Sequence, residues 1–214
     1  ALIGASGFVG TAVLGELLQR GHQVTVLARD PAKIAAQTGV TVVKADAQDA
    51  AQVAAAVEGL DAVVSAYNPG WNAPDLYNEF LKGARAIVAG VKRSNVKRLL
   101  VVGGAGSLFV APGVQLVDTE AFKGHVPPNI VPGAQAARDA LTELRSETAL
   151  EWTFLSPAAM LSPGERRGAF RIGGDDLLMD GDKPAGISVQ DLAVAIVDEI
   201  EKPKHIRSRF TVAY

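Results

Sequence analysis

The stretch "ALIGASGFVG" places glycines at Gly4, Gly7 and Gly10, directly after a short apolar run and directly before a helix-forming segment. A strand that gives way to a helix within a few residues starts a βαβ unit, which commits the chain to a parallel sheet. In such a turn Gly4 relieves the sharp bend, Gly7 lets a pyrophosphate approach the backbone, and Gly10 lets the helix pack closely on the sheet. The helix starts near Phe8, carries Val9, Val13, Leu14, Leu17 and Leu18 on one face, and stops at Gly21. Its first N–H groups and positive end point back at the turn. Glycines kept only for the turn remain the alternative. The βαβ context is what favours a dinucleotide cradle.

The rest of the chain repeats this rhythm. Strand patterns lie at 22–29, 40–45, 61–66, 96–104, 150–157 and 209–214, and helical patterns at 8–20, 31–37 (weak), 49–58, 75–91, 134–147 and 188–203. Nearly continuous apolar strands between amphipathic helices suit a sheet covered on both faces. The expected architecture is therefore a Rossmann-like, doubly wound, mainly parallel α/β sheet with helices on both faces, forming one domain over 1–214. Residues 105–132 and 158–187 are expected to be substrate-side insertions, because long connections usually build lids or binding walls. Within the second, "AFRI" suggests a small C-terminal excursion, a strand or hairpin beyond the sheet. In the last helix Ser188 is placed to cap and Asp191 to occupy the third position, above a stripe of Val189, Leu192, Ala193, Ile196, Val197 and Ile200.

Bulk properties narrow the partners. A chain of 214 residues, 48% apolar and 21% charged, has ordinary globular composition and enough length for one buried core. With 21 Lys and Arg against 23 Asp and Glu, there is no cationic excess for binding nucleic acid. Cysteine is absent, which excludes disulfide and thiolate chemistry, and His22, His125 and His205 are too scattered for a local metal motif. No run reaches the ~20 apolar residues of a membrane span, and "ALIGAS" lacks the basic region of a signal peptide. The expectation is a cytoplasmic protein without metal, a monomer or homodimer, that acts on a small molecule.

The second strand bears on the cofactor. It ends in Arg29, followed by Asp30, where an acidic side chain would hold an unphosphorylated ribose and a guanidinium would grip a 2′-phosphate. NADP(H) is the preferred expectation; NAD(H) becomes the cofactor if Asp30 turns inward.

At whole-chain level, "GASGFVG", "ARD", "KADAQD", "VVGGAGSL", "EWTFLSPAAMLSPGERRGAFRIGG" and "ISVQDLAVAIVDEIE" occur in the order seen in the atypical short-chain dehydrogenase/reductase superfamily. The chain resembles its NmrA-like, NAD(P)H-binding members, and especially the NADH-flavin reductase-like branch. The resemblance implies a cofactor lying along the carboxyl ends of the strands. Gly4, Ser6, Gly7, Phe8, Val9 and Gly10 would surround pyrophosphate and ribose, and Arg29 the adenosine end. Asp46 and Ala47 would border adenine, and Ser65, Ala66 and Tyr67 the central ribose. Gly103, Gly104, Ser107 and the segment 156–159, with Ser156 and Pro157, would approach the nicotinamide. Ser107 and Tyr67 are the catalytic candidates.

One part of the family pattern is missing. Carbonyl reduction in such proteins uses a Tyr-x-x-x-Lys pair, yet the residues four places after Tyr67 and Tyr77 are Trp71 and Leu81, and Tyr214 ends the sequence. The helix that would carry the pair, "VPGAQAARDAL", offers Arg138 but no phenol. A flavin, quinone or related conjugated acceptor asks less of the protein, since the hydride enters a delocalised ring. The expected function is an NAD(P)H-dependent reductase of such an acceptor, with flavin as a candidate substrate. The alternative is an NmrA-like dinucleotide-binding regulator without turnover. Tyr67, Trp71 and Tyr77 suit either an aromatic wall or helix packing, His125 a solvated loop, and Arg166 and Arg167 a solvated charge pair or an acidic ligand.

Overall fold

A computed structural model describes residues 1–214. The chain runs through β1 (Leu2–Ile3), α1 (Phe8–Gln19), β2 (Val24–Ala28), β3 (Val40–Lys44), α2 (Ala50–Val57), β4 (Ala62–Ser65), α3 (Leu76–Arg93) and β5 (Arg98–Val102). A 3-10 turn (Ala105–Ser107), the hairpin β6 (Phe109–Ala111) and β7 (Val114–Gln115), a second 3-10 turn (Leu116–Asp118) and α4 (Glu120–His125) lead to α5 (Val131–Leu144). The remaining elements are β8 (Glu151–Pro157), β9 (Met160–Ser162), β10 (Arg171–Gly173), β11 (Met179–Asp180), β12 (Lys183–Pro184), β13 (Gly186–Ser188), α6 (Val189–Glu201) and β14 (Ser208–Ala213).

Eight strands form the main sheet in the order β10-β14-β8-β5-β4-β1-β2-β3, parallel throughout except for β10. Strand order reverses between β1 and β4, and it is outside the carboxyl ends at such a switch point that open α/β sheets bind ligands. Successive strand residues serve opposite cores. Leu2, Val26, Val64 and Leu100 face a core shared with α1 and α6, whereas Ile3, Leu27, Val63 and Leu99 face one shared with α2 and α3. That two-sided burial is why the strands read as apolar without alternation.

Three local expectations change. The weak helix at 31–37 is only a 3-10 turn, Pro31–Lys33, because its sole strong signal is the start, where the Asp30 carboxylate accepts from the Ala32 N–H at 3.2 Å. Helix α5 starts at Val131, ahead of the expected 134, because Pro132 sits in the first turn, where the missing N–H has no partner to lose. "AFRI" does not lie beyond the sheet. Its strand β10 pairs antiparallel with β14, Ile172 opposite Val212, and covers what would otherwise be an open edge.

The last helix is capped as the sequence suggests, with the Ser188 Oγ accepting from the Asp191 N–H at 3.0 Å. Asp191 is fully buried and accepts from the Gly168 N–H and the Tyr214 hydroxyl, both at 2.8 Å, which ties the 158–187 insertion to α6. Arg166 and Arg167 belong to the same seam. Arg166 makes two hydrogen bonds to the buried Glu16 carboxylate, at 2.7 and 2.8 Å, and Arg167 lies 4.5 Å over the Tyr214 ring. Both remain exposed to solvent while making these contacts. No helix is long and apolar enough to cross a membrane, and no three His, Asp or Glu side chains are arranged to hold a metal ion.

Candidate cofactor cleft and active site

The glycine turn has three distinct geometries. Gly4 adopts φ +84°, and a Cβ there would fall 2.3 Å from the Ala66 carbonyl oxygen. A Cβ on Gly10 would fall 1.9 Å from the Gly4 carbonyl oxygen, so α1 rests directly on the turn. Gly7 has extended backbone and its Cβ position meets only the Gly4 oxygen, at 3.3 Å. Space therefore remains in front of Gly7 alone. No side chain caps α1 or α5, whereas Asp49, Asp75, Thr119 and Ser188 cap α2, α3, α4 and α6. The first N–H groups of α1 are thus left for an anion, beside the exposed Ser6 and Phe8 and the partly buried Val9.

A cleft of about 210 Å³ opens from this turn across β2, β3 and β4. It brings together Gly4, Ser6, Gly7 and Arg29 with Asp46, Ala47, Ala66 and Tyr67. Asp30 also lines it, but with its carboxylate engaged on Ala32. Lys33, Gln48 and Asn68 also line it, and strand periodicity does not mark them as site residues. Lys33 had a signal available, since Asp-Pro starts a short turn and keeps the next cation beside Arg29. Gln48 had none. Its amide donates to the Tyr67 hydroxyl at 3.0 Å, and that hydroxyl donates to the Glu79 carbonyl at 3.1 Å. Burial raises the Tyr67 phenol pKa, against a smaller opposing pull from the Gln48 hydrogen bond. The phenol is a tether that stays protonated at neutral pH. Its ring packs 6.0 Å from Phe80 and against Gly83, where a Cβ would lie 2.2 Å from ring atoms.

Ser65 parts from this group. It ends β4 and lines a cavity between α3 and α5 rather than the cleft. Gly103 and Gly104 follow β5, and the Phe154 ring occupies the Cβ position of Gly103, 2.0 Å away. Ser107 and Ser156 come together, with hydroxyl oxygens 3.4 Å apart, and Pro157 is buried beside them. Both hydroxyls accept from Arg209 Nη1 at 3.3 Å. The Arg209 side chain is fully buried, and its Nε donates to Asp175 at 2.7 Å. Burial lowers the Arg209 pKa. For Asp175, burial pushes upward, but the Arg209 hydrogen bond and charge outweigh it and hold the carboxyl below its usual range. Nothing in the sequence announces Arg209, because its carboxylate partner lies in the 158–187 insertion.

The three aromatic candidates do not stack on one another. Trp71 is half exposed beside Gly133, and the Tyr77 hydroxyl donates to Asp139 on α5 at 2.7 Å. Arg138 donates from Nε to Asp139 and from Nη1 to Asp118, each at 2.8 Å. His125 is exposed at the end of α4, its Nδ1 2.7 Å from the Ala121 carbonyl oxygen.

Known proteins share this fold. The model of a family described as NAD(P)H-binding matches residues 4–203. The Bacillus subtilis protein YwnB is 37% identical over 214 residues, covering 99% of this chain and 96% of its own length. A solved structure from Bacteroides thetaiotaomicron, described as a "putative epimerase", has a TM-score of 0.90 at 46% identity, covering 100% of this chain and 95% of that one. Another from Streptococcus pneumoniae, described as a "putative NADH-flavin reductase", has a TM-score of 0.84 at 32% identity, covering 99% and 97%.

Proposed function

This chain belongs to the NAD(P)H-binding family of Rossmann-fold oxidoreductases, and from that premise we propose that it moves a hydride from NADPH to a flavin, a quinone or a related conjugated acceptor. One observation carries the acceptor class: α5 has no tyrosine and no lysine, and its Arg138 and Asp139 are bound to Asp118 and Tyr77. The other nearby phenol, Tyr67, is committed to two hydrogen bonds and is held protonated by burial. Neither arrangement resembles a phenol whose pKa a lysine lowers for proton transfer to a simple carbonyl. The same absence weighs against carrying over the epimerase description of the Bacteroides relative, and the flavin reductase description of the Streptococcus relative agrees with the proposal.

The cradle fits a dinucleotide, with open space before Gly7, an uncapped helix behind it and two cations, Arg29 and Lys33, along the cleft. The N–H groups of α1 take the pyrophosphate, and Arg29 with Lys33 takes the 2′-phosphate. The Tyr67 ring is a wall, and Ser107 and Ser156 position the β5 and β8 ends through Arg209. Bound reduced nicotinamide supplies a hydride from its C4. The chain's share is to orient the two rings and exclude competing acceptors, while solvent provides the accompanying proton.

Titration of the protein with NADPH and NADH, followed by a panel of acceptors, tests this. Tighter NADPH binding and faster oxidation of NADPH by riboflavin, FMN or menadione than by aldehydes, ketones and sugar nucleotides is expected. Preference for simple carbonyls would overturn the acceptor class. Firm binding without turnover on any acceptor would move the assignment to a dinucleotide-sensing regulator.

A further inference from the structure

A second cavity, of about 520 Å³, lies between α3, α5 and the floor of β4, β5 and β8. Its size is that of small-molecule sites, roughly 300–1,000 Å³. Phe80 and Val88 from α3, Ala140 and Leu144 from α5, and Phe154 from β8 give it a mainly apolar wall. Tyr67 is the one residue it shares with the glycine cleft. Two of its lining rings lie against glycines, Tyr67 on Gly83 and Phe154 on Gly103.

Two features say what such a cavity would hold. Ser65 is 3% exposed and lines it, and its hydroxyl makes no hydrogen bond within the chain. The side-chain polar atoms that are both fully enclosed and unpaired are Arg98 Nε and Thr211 Oγ1, so the Ser65 oxygen is open to the cavity and free to pair with what enters it. At the mouth, Arg85 reaches from α3 to Glu143 on α5, with Nε donating at 2.8 Å, and Lys92 lies 2.7 Å from Glu147. Each cation is already matched by a carboxylate, so the entrance holds no spare charge for an ionic ligand.

We propose that this cavity binds an uncharged, ring-sized, mainly apolar molecule with a single hydroxyl or carbonyl group, which pairs with Ser65. The site is separate from the dinucleotide cleft and does not depend on which acceptor the protein reduces.

The probe is 2-naphthol, with 2-naphthoate as its charged counterpart, followed by calorimetry and by methyl NMR of the full chain. Saturable binding of one 2-naphthol per chain is expected, with shifts at the methyls of Val88, Ala140 and Leu144. Ala140→Phe, which fills the cavity, should weaken binding about tenfold or more while melting temperature and NADPH affinity hold. Ser65→Ala should weaken it roughly three- to tenfold, and 2-naphthoate should bind less tightly than 2-naphthol. Absence of methyl shifts at millimolar probe, unchanged affinity in Ala140→Phe, or tighter binding of 2-naphthoate would each overturn the proposal. Should Ala140→Phe fail to fold, the wild-type methyl map and Ser65→Ala still decide.

Discussion

Replacing Gly7, Gly10 and Gly15 one at a time by alanine should separate cofactor binding from folding within a single helix. At Gly10 the new Cβ would lie 1.9 Å from one backbone oxygen, 2.6 Å from the Gly4 carbonyl carbon and 2.9 Å from the Ala5 Cα. Ordinary contact begins near 3.4 Å, so α1 must withdraw by about 1.5 Å, and none of the opposing atoms is a flexible side-chain end. Overpacking of that kind costs about 1–3 kcal/mol, and a shift of ~1 Å in a positioning element reduces function by roughly 10²-fold. At Gly7 the only neighbour is 3.3 Å away and the backbone is already extended, so the fold loses no more than about 1 kcal/mol. The methyl group nevertheless enters the space assigned to pyrophosphate, and NADPH affinity should fall about tenfold or more. Gly15 is exposed, with nothing within 4 Å, and alanine there should stabilise by about 0.5–1 kcal/mol without touching binding. Urea unfolding and NADPH calorimetry on the three variants provide the readout. Wild-type NADPH affinity in Gly7→Ala, or wild-type stability in Gly10→Ala, would refute the division of labour within the turn.

Other perturbations follow from individual contacts. Arg29→Ala should weaken NADPH by about 1.5–3 kcal/mol and NADH much less, with Lys33→Ala acting in the same direction; equal losses for the two cofactors would remove the 2′-phosphate assignment. Tyr67→Phe gives up the hydrogen bonds to Gln48 and Glu79, so stability should fall by about 1–3 kcal/mol while turnover falls less than roughly tenfold; a loss near 10²-fold at unchanged NADPH affinity would make Tyr67 a proton donor. The Glu16 carboxyl is held below its usual range, first by the Arg166 hydrogen bond and then by Arg20, against its burial. Its stabilising contribution is complete at neutral pH and disappears as pH falls through the depressed folded-state value. Melting temperature should therefore drop more steeply in acid for the wild type than for Glu16→Gln, and parallel acid limbs would contradict the linkage.

What the sequence discloses, and what it withholds, follows from the range of the interactions. The βαβ order, the glycine turn and the Ser188 cap are local, so the alternation of apolar strands and amphipathic helices reveals them. The cleft was legible where its residues sit at strand ends, as Arg29, Asp46 and Ala66 do. Lys33 and Gln48 reach it through turn geometry that strand periodicity does not encode. Long-range partnerships were out of reach: Arg166 meets Glu16 across 150 positions, and Arg209 meets Ser107 across 102. Four alternating residues, "AFRI", look the same at a sheet edge as in a detached hairpin, so the pairing of β10 with β14 needed the tertiary structure. Ser65 ends β4 on the same face as Ile3 and Tyr67, yet it lines the cavity under α3 and α5 and not the glycine cleft, a distinction that strand position alone does not encode.

Hydride transfer to a conjugated ring is the central claim, and stereospecifically deuterated NADPH tests it most directly. Turnover with menadione or riboflavin should slow for the cofactor deuterated on one face of C4 and not for the other, and acetone or a simple aldehyde should react far more slowly. Loss of the isotope effect from both faces, together with faster reduction of the simple carbonyl, would contradict the account.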